Sequence, residues 1–393
     1  MLRMDLGRER SIEGRAAIGN VAAVFRQPTT QPYDGAMKRP GLMSGKVGHR
    51  TSHSDAKQNR IRMGCSLVAS FCFFFLLYYT PSLGTKVSMD GSKERNGTDP
   101  EQWRWMQYSC NGTERRKAQG CIKKGETFSI WLRRQMRNVA YEDLACYIDK
   151  AAVKYYVKAM VPGLRTAATI GLFTTENVKD LSHQPLPSRY VLKATHGSNM
   201  TLLVTDDHVY AGNKGALHTS PNITGQDLLD LAKKFMGMCF RCKRQAQYRR
   251  VMRGVIVEEI LGKDYAADYK VFVFGGAIFG FDVRFVNVVD GENGEVRMKS
   301  ARMVSNGQTE LDARDICKHF RFARKFPPED SVRQILETAK LLADGFRFVR
   351  VDFYYVDNTV YFGELTLSPL AGSRHLDTWF RASVTSCLGV CSK

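Results

Sequence analysis

Arg350-Val351-Asp352-Phe353-Tyr354-Tyr355-Val356, then Asp357-Asn358-Thr359, then Val360-Tyr361-Phe362-Gly363-Glu364-Leu365-Thr366 is the stretch that decides the fold. Both outer runs are rich in β-branched and aromatic residues, and the three residues between them are turn chemistry. The pattern predicts a β-hairpin. With a three-residue loop, Val356 faces Val360, Tyr354 faces Phe362 and Asp352 faces Glu364. Directly opposed residues of an antiparallel pair have Cβ atoms about 4.5–5.5 Å apart. Two carboxylates that close destabilise a sheet unless a cation lies between them. Mg²⁺ suits that place, because it takes one or two carboxylates and completes its shell with phosphate oxygens and water. The competing reading is an ion network of Arg350, Asp352 and Glu364 on a solvent-facing sheet side.

Upstream, Ser331 reads as the cap of an amphipathic helix carrying Val332, Ile335, Leu336, Ala339 and Leu342 on one stripe, with Gly345 as its stop. Strands are expected at 190–193, 201–204, 254–261, 269–274 and 277–289, with Gly275-Gly276 as a tight turn. Helical spacing of Leu144, Ile148, Ala151, Ala152, Tyr155 and Tyr156 predicts a helix over 141–160, stopped by Pro162-Gly163. A second helix is expected over 227–240. Antiparallel hairpins mixed with helices, rather than strict β-α alternation, define an α+β class.

The chain has 393 residues and a formal net charge of +19. That charge suits nucleic acid, an anionic glycan or a membrane face. Many of the cations fall in residues 1–62, which read as a basic, disordered cytosolic tail and not as a nucleic-acid surface. Residues 63–80 are apolar and about long enough to span a bilayer; a signal peptide is the other reading. Basic residues cluster before the run, so the positive-inside rule gives a single-pass type II membrane protein with its globular part in a Golgi or endoplasmic reticulum lumen. Sequons at Asn96, Asn111, Asn199 and Asn222 agree with that placement. Of the ten cysteines, all but Cys65 and Cys72 follow the run. They suit disulfides, or, for Cys239 and Cys242 with Cys387 and Cys391, a zinc site. Residues 81–125 read as stalk and cysteine-containing lead-in, and 126–393 as the folded domain.

Several motifs carry chemistry. Lys193 ends a strand and meets the turn His196-Gly197-Ser198, whose backbone N–H groups can face phosphate; a plain surface hairpin is the alternative. Glu258-Glu259-Ile260-Leu261 ends another strand, where acids either bind a nucleoside or are solvated edge charges. Asp268 and Lys270 open the next strand, with Lys270 reaching a phosphate or pairing with Asp268. Arg284 lies among apolar residues and either clamps an anion or is neutralised by Asp282.

Taken in order, Lys193…His196-Gly197-Ser198, Glu258 to Leu261, Asp268 to Gly276, Arg350 to Tyr354 and Gly363-Glu364-Leu365-Thr366-Leu367-Ser368-Pro369 resemble a TupA-like ATP-grasp domain, a family associated with teichuronopeptide and cell-surface polysaccharide synthesis. Asp149-Lys150-Ala151-Ala152 resembles that family's upstream Asp-Lys helix. The resemblance implies two α+β subdomains clasping a nucleotide between antiparallel sheets. It implies ATP and Mg²⁺ as cofactors. Lys193, His196, Gly197, Ser198 and Asp268 would lie at the nucleotide, and Glu258, Glu259, Ile260 and Leu261 would form the adenine hinge. Lys270 and Arg284 would be catalytic, and Asp352 and Glu364 would hold the metal. The implied reaction is carboxylate–amine ligation through an acyl phosphate on a glycan or glycopeptide. A lumenal kinase, a glycosyltransferase and an inactive glycan-binding protein are the alternatives. Thr366 stands where many such enzymes have Asn, Ala194 where proline is common, and Asn199 where a second loop glycine is common.

Overall fold

The computed structural model describes residues 99–391, apart from 109–114, 207–208, 212–215, 219–222, 239–243, 263–265, 289–295, 306–308, 322–325 and 381–385. Its strands are β1 (Arg165–Thr166), β2 (Thr169–Thr174), β3 (Tyr190–Ala194), β4 (Thr201–Val204), β5 (Val209–Ala211), β6 (Ala216–His218), β7 (Gly254–Glu258), β8 (Asp268–Phe274), β9 (Ala277–Val288), β10 (Val296–Val304), β11 (Phe348–Val356) and β12 (Thr359–Thr366). They form two six-stranded sheets. The smaller lobe has the order β2-β7-β3-β4-β5-β6, and the larger has β1-β12-β11-β8-β9-β10. Pairing is antiparallel except between β1 and β12.

Period-two alternation assigns the two faces of the larger sheet. On β8, Tyr269, Val271 and Val273 join the main core with Val349, Val351 and Phe353 of β11. The helix Glu329–Leu342 covers that face with Val332, Ile335, Leu336, Ala339 and Leu342. The opposite face is divided. At one end Phe272, Phe274 and Phe348 pack with Phe128, Trp131, Phe380 and Leu388. At the other end the same alternation presents Asp268, Lys270, Arg350 and Asp352. The smaller sheet buries Leu192, Leu202, Val255 and Val257 against Leu228, Leu231, Ala232 and Phe235 of the helix Gly225–Gly237. That helix starts at a reciprocal capping box of Thr224 and Asp227.

Four local expectations are corrected. The hairpin loop has two residues, Asp357 and Asn358, both with positive φ (48° and 59°) as a type I′ turn requires. Val356 therefore faces Thr359, and Tyr354 faces Tyr361. A bulge at Gly363 then absorbs one residue and returns Asp352 to Glu364. A Cβ on residue 363 would stand 3.0 Å from the Asp352 carbonyl oxygen, which is why the bulge carries glycine. The helix expected over 141–160 is three pieces: Val139–Leu144, Ala145–Ile148 and Ala152–Met160. Asp149 breaks it with extended backbone (ψ 115°), and its Oδ1 accepts from the N–H groups of Ala151 and Ala152. The later helix is capped at Pro328, not Ser331, while Gly345 does stop it with φ +76°.

The fourth correction concerns the membrane anchor. Among the described residues no helix is long and apolar enough to cross a membrane. Glu329–Leu342, with 14 residues, spans about 21 Å against a hydrocarbon core of about 30 Å, and it is amphipathic. The type II anchor and the lumenal placement drawn from it are therefore withdrawn; residues 63–80 lie outside the described residues, as do the tail and the sequons at Asn96, Asn111 and Asn222. Cys391 is bonded to Cys121 across 270 residues, which removes it from any zinc set. Cys239 and Cys242 lie outside the described residues. Cys146 is also disulfide-bonded.

Candidate nucleotide site

One register row crosses the larger sheet: Glu364 on β12, Asp352 on β11, Lys270 on β8, Asp282 on β9 and Arg302 on β10. All five side chains share a face, and charge alternates along the row after the first pair. Lys270 donates to Asp352 Oδ2 at 2.7 Å and also to Asp268. Arg350, two residues before Asp352, forks onto both of its oxygens at 2.6 and 2.5 Å. The same guanidinium reaches Glu364 Oε1 at 3.0 Å and Thr366 Oγ1 at 2.9 Å. Arg302 closes the row on Asp282 at 2.6 Å, its guanidinium lying 3.4 Å from the centre of the Trp379 ring.

The ion network of Arg350, Asp352 and Glu364 is present, and it does not lie on a solvent-facing sheet side: Asp352 is 2% exposed. Burial would raise its carboxyl pKa, but Arg350 and Lys270 outweigh burial and hold it below the ordinary range. Asp268 goes the other way. Burial pushes it up, and the Asp352 charge adds to the push against Lys270.

The smaller lobe supplies a matching pair. Lys193 on β3 meets Glu258 on β7 at 2.7 Å, and Lys154 meets the other Glu258 oxygen at 2.5 Å. Glu258 is thus no solvated edge charge. Burial opposes its ionisation, yet Lys193 and Lys154 bring its pKa down to about 2. Lys150 ties the helix start to the turn, donating to the Gly197 carbonyl at 2.6 Å. Burial lowers its pKa; Glu364 supports its charge and Lys193 opposes it. Tyr354 is half-buried, and its phenol pKa is pushed up by desolvation first and then by the charges of Asp268, Glu364, Asp352 and Glu258. Glu364 of the larger sheet and Glu258 of the smaller both support the charge of Lys150.

The remaining expected positions vary. Gly197 holds φ +81°, and Asn199 takes φ 62° where a second glycine was expected, a conformation asparagine tolerates. Ser198 is exposed at the turn. His196 is not exposed there: its ring is 2% exposed and bonds the Met238 carbonyl at 3.0 Å, and burial lowers its pKa. Glu259 is tied to Ala168 by both its N–H and its carboxylate, so its N–H is engaged by protein. Ile260 and Leu261 are half-buried beyond the end of β7. Arg284 lies opposite Asp268 in register and is half-buried. Arg350, Lys150 and Lys154 were not singled out for the site by sequence. Arg350 stood in plain view at i−2 from Asp352, the spacing that places two strand residues on one face.

Mg²⁺ can be tested against these donors. Among the described residues no group of three or more His, Cys, Asp and Glu is gathered to hold a metal. Both Asp352 oxygens are engaged, but Asp268 Oδ1 is buried without a hydrogen-bond partner, and Glu364 is 38% exposed with its bonds on Oε1. This set fits an ion that arrives bound to phosphate and takes one or two carboxylates, not a resident ion in an all-protein cage.

Two largely antiparallel six-stranded sheets, each carrying paired lysines or arginines and acids, fit the architecture that the resemblance implies. The chain matches the family model of TupA-like ATPgrasp over residues 130–292 and 303–389, and it belongs to that family. Solved structures are similar more distantly. The D-alanine–D-alanine ligase from Helicobacter pylori is 13% identical over 63% of this chain and 60% of that one, with a TM-score of 0.34. The Bacillus anthracis D-alanine–D-alanine ligase complexed with ATP is 12% identical over 63% and 64%, with a TM-score of 0.33. The ATP-grasp ligase PsnB complexed with minimal precursor, Mg and ADP is 14% identical over 61% and 56%, with a TM-score of 0.30. The match thus spans 60% of the length of the first of these enzymes. A search of curated proteins gave no match.

Proposed function

We propose that the chain is an ATP- and Mg²⁺-dependent ligase that joins a carboxylate to an amine. The observation that carries this reading is the row Glu364–Asp352–Lys270 with Arg350 beside it, together with Lys193 on β3 and Lys150, whose charge Glu364 supports. Such an array has the cations to neutralise a migrating phosphoryl group and the acids to hold its metal. Lys193, Lys150 and the N–H groups of the turn 196–198 would bind the nucleotide phosphates. The segment 258–261 would border the base, with Ile260 and Leu261 as its free edge. Glu364, and Asp352 once Arg350 or Lys270 releases one of its oxygens, would hold Mg²⁺, which would neutralise phosphate charge.

Lys270 and Arg350 would orient Asp352, and Arg284 would face the transferring phosphate. The carboxylate oxygen takes the γ-phosphoryl group, giving an acyl phosphate and ADP. An amine then attacks the acyl carbon; phosphate leaves and the amine loses a proton, giving an amide. A carboxylate- or amine-bearing glycan or glycopeptide is the substrate class we infer, supported by the family's polysaccharide context.

Trapping tests the reaction type. Incubation with ATP, Mg²⁺, a uronic-acid or peptide carboxylate library and hydroxylamine is expected to give a hydroxamate and ADP in equal amounts. A stable phosphoester with no hydroxamate would replace ligation with kinase activity.

A further inference from the structure

The family match begins at residue 130, yet the helix Pro100–Met106 that precedes it enters the heart of the joint between the lobes. Arg104 on that helix is 0% exposed. Its Nε donates to Asp149 Oδ2 at 2.7 Å, and its Nη2 donates to Thr195 Oγ1 at 2.9 Å and to the Met252 carbonyl. Tyr108 repeats the pattern, donating to Asp149 Oδ2 at 2.5 Å and accepting from the Met252 N–H at 2.9 Å. Trp105 stacks on Tyr156 with ring centres 5.7 Å apart. Glu101 accepts from Thr169 at 2.6 Å and from Lys158 at 2.7 Å.

The three segments that Arg104 joins are those that aim the phosphate-facing groups. Asp149 precedes Lys150 and caps the helix start. Thr195 precedes the turn His196-Gly197-Ser198, and its carbonyl accepts from the Lys150 N–H at 3.0 Å. Met252 leads into β7, where the Gly254 carbonyl accepts from the Thr195 N–H at 2.9 Å. Lys150 Nζ then meets the Gly197 carbonyl at 2.6 Å. A guanidinium can serve all three at once because its donors form a rigid planar fork; an ammonium cannot reproduce that geometry.

We propose that Arg104 is a positioning residue of the nucleotide site, and that the lead-in helix carrying it is a working part of that site. Arg104 fixes the turn 195–198 and Lys150 relative to β7, so its loss weakens binding of the phosphate tail and leaves the nucleoside end untouched. The proposal rests on the nucleotide reading above.

The test is calorimetric binding of Mg-ATP and of AMP to the full chain. For Arg104→Met, ATP affinity is expected to fall about 10- to 100-fold, the usual scale for a partner that orients a ligating group, with AMP affinity unchanged. Arg104→Lys is expected to fall between. Lys158→Ala, which loosens the same helix by removing a half-exposed lysine bonded to Asp99 and Glu101, is expected to leave the ATP-to-AMP ratio as it is. A folded Arg104→Met protein with unchanged ATP affinity, or with equal losses for ATP and AMP, overturns the proposal. So does a Lys158→Ala ratio that falls as far as that of Arg104→Met. If Arg104→Met does not fold, Tyr108→Phe decides: it removes one hydroxyl and is expected to lower the ratio about fivefold, and an unchanged ratio overturns the proposal. An intact chain that binds neither nucleotide overturns the nucleotide reading itself.

Discussion

The protein holds two knots of charge with similar chemistry and different access. At the joint, Arg104 and Asp149 are both sealed, at 0% exposure. In the cleft, Arg350 is 10% exposed and Glu364 38%. The sealed knot joins three segments of the protein to one another. The open one leaves Glu364 at its mouth and a bare oxygen on Asp268. Desolvated ions need partners of their own, and an ion at a mouth is free to take one from outside. We read the sealed knot as construction and the open row as the place where phosphate and metal enter.

Substitutions should separate the two most widely at Asp149. Asp149→Ala strands Arg104 in the interior and is expected to cost about 3–5 kcal/mol of stability, the range for breaking a buried pair, read from the denaturant midpoint. A loss under about 1 kcal/mol would mean that the joint is not sealed. Glu364→Gln is expected to show the reverse: a stability change within about 1 kcal/mol, and Mg-ATP affinity lower by about 100-fold, the upper end of what groups around a bound ion are worth. Equal effects on stability at the two sites would erase the distinction.

Part of this was legible in the chain. The strand expected at 269–274 is β8, which starts one residue earlier at Asp268. The pairing of Asp352 with Glu364 was read correctly through a loop one residue too long, because the Gly363 bulge compensates for the shorter turn. Bulges follow from local backbone strain and close approach, which alternation does not report. The break at Asp149 was hidden because helical spacing continues through it, and the Asp149 carboxylate there is held by an arginine 45 residues earlier. Arg104 itself meets Thr195 across 91 residues, a contact that no window of local sequence contains.

Lys193→Ala sharpens the comparison by a smaller amount. Glu258 has its pKa depressed in the folded state, so its pairing stabilises the protein above the unfolded carboxyl value of about 4.3, and that stability is lost as pH falls toward about 2. Without Lys193, Glu258 keeps Lys154 but its pKa rises, so the acid loss of stability should begin at higher pH. Melting temperatures measured from pH 2 to 7 would show it, and superimposable acid limbs would contradict the pairing.

The measurement closest to the central claim is calorimetric titration of the intact chain with Mg-ATP, beside the double variant Asp352→Ala, Glu364→Ala. We expect saturable binding to the wild type and none to the double variant at the same concentrations. Equal affinities in the two proteins would show that the acid row does not receive the nucleotide.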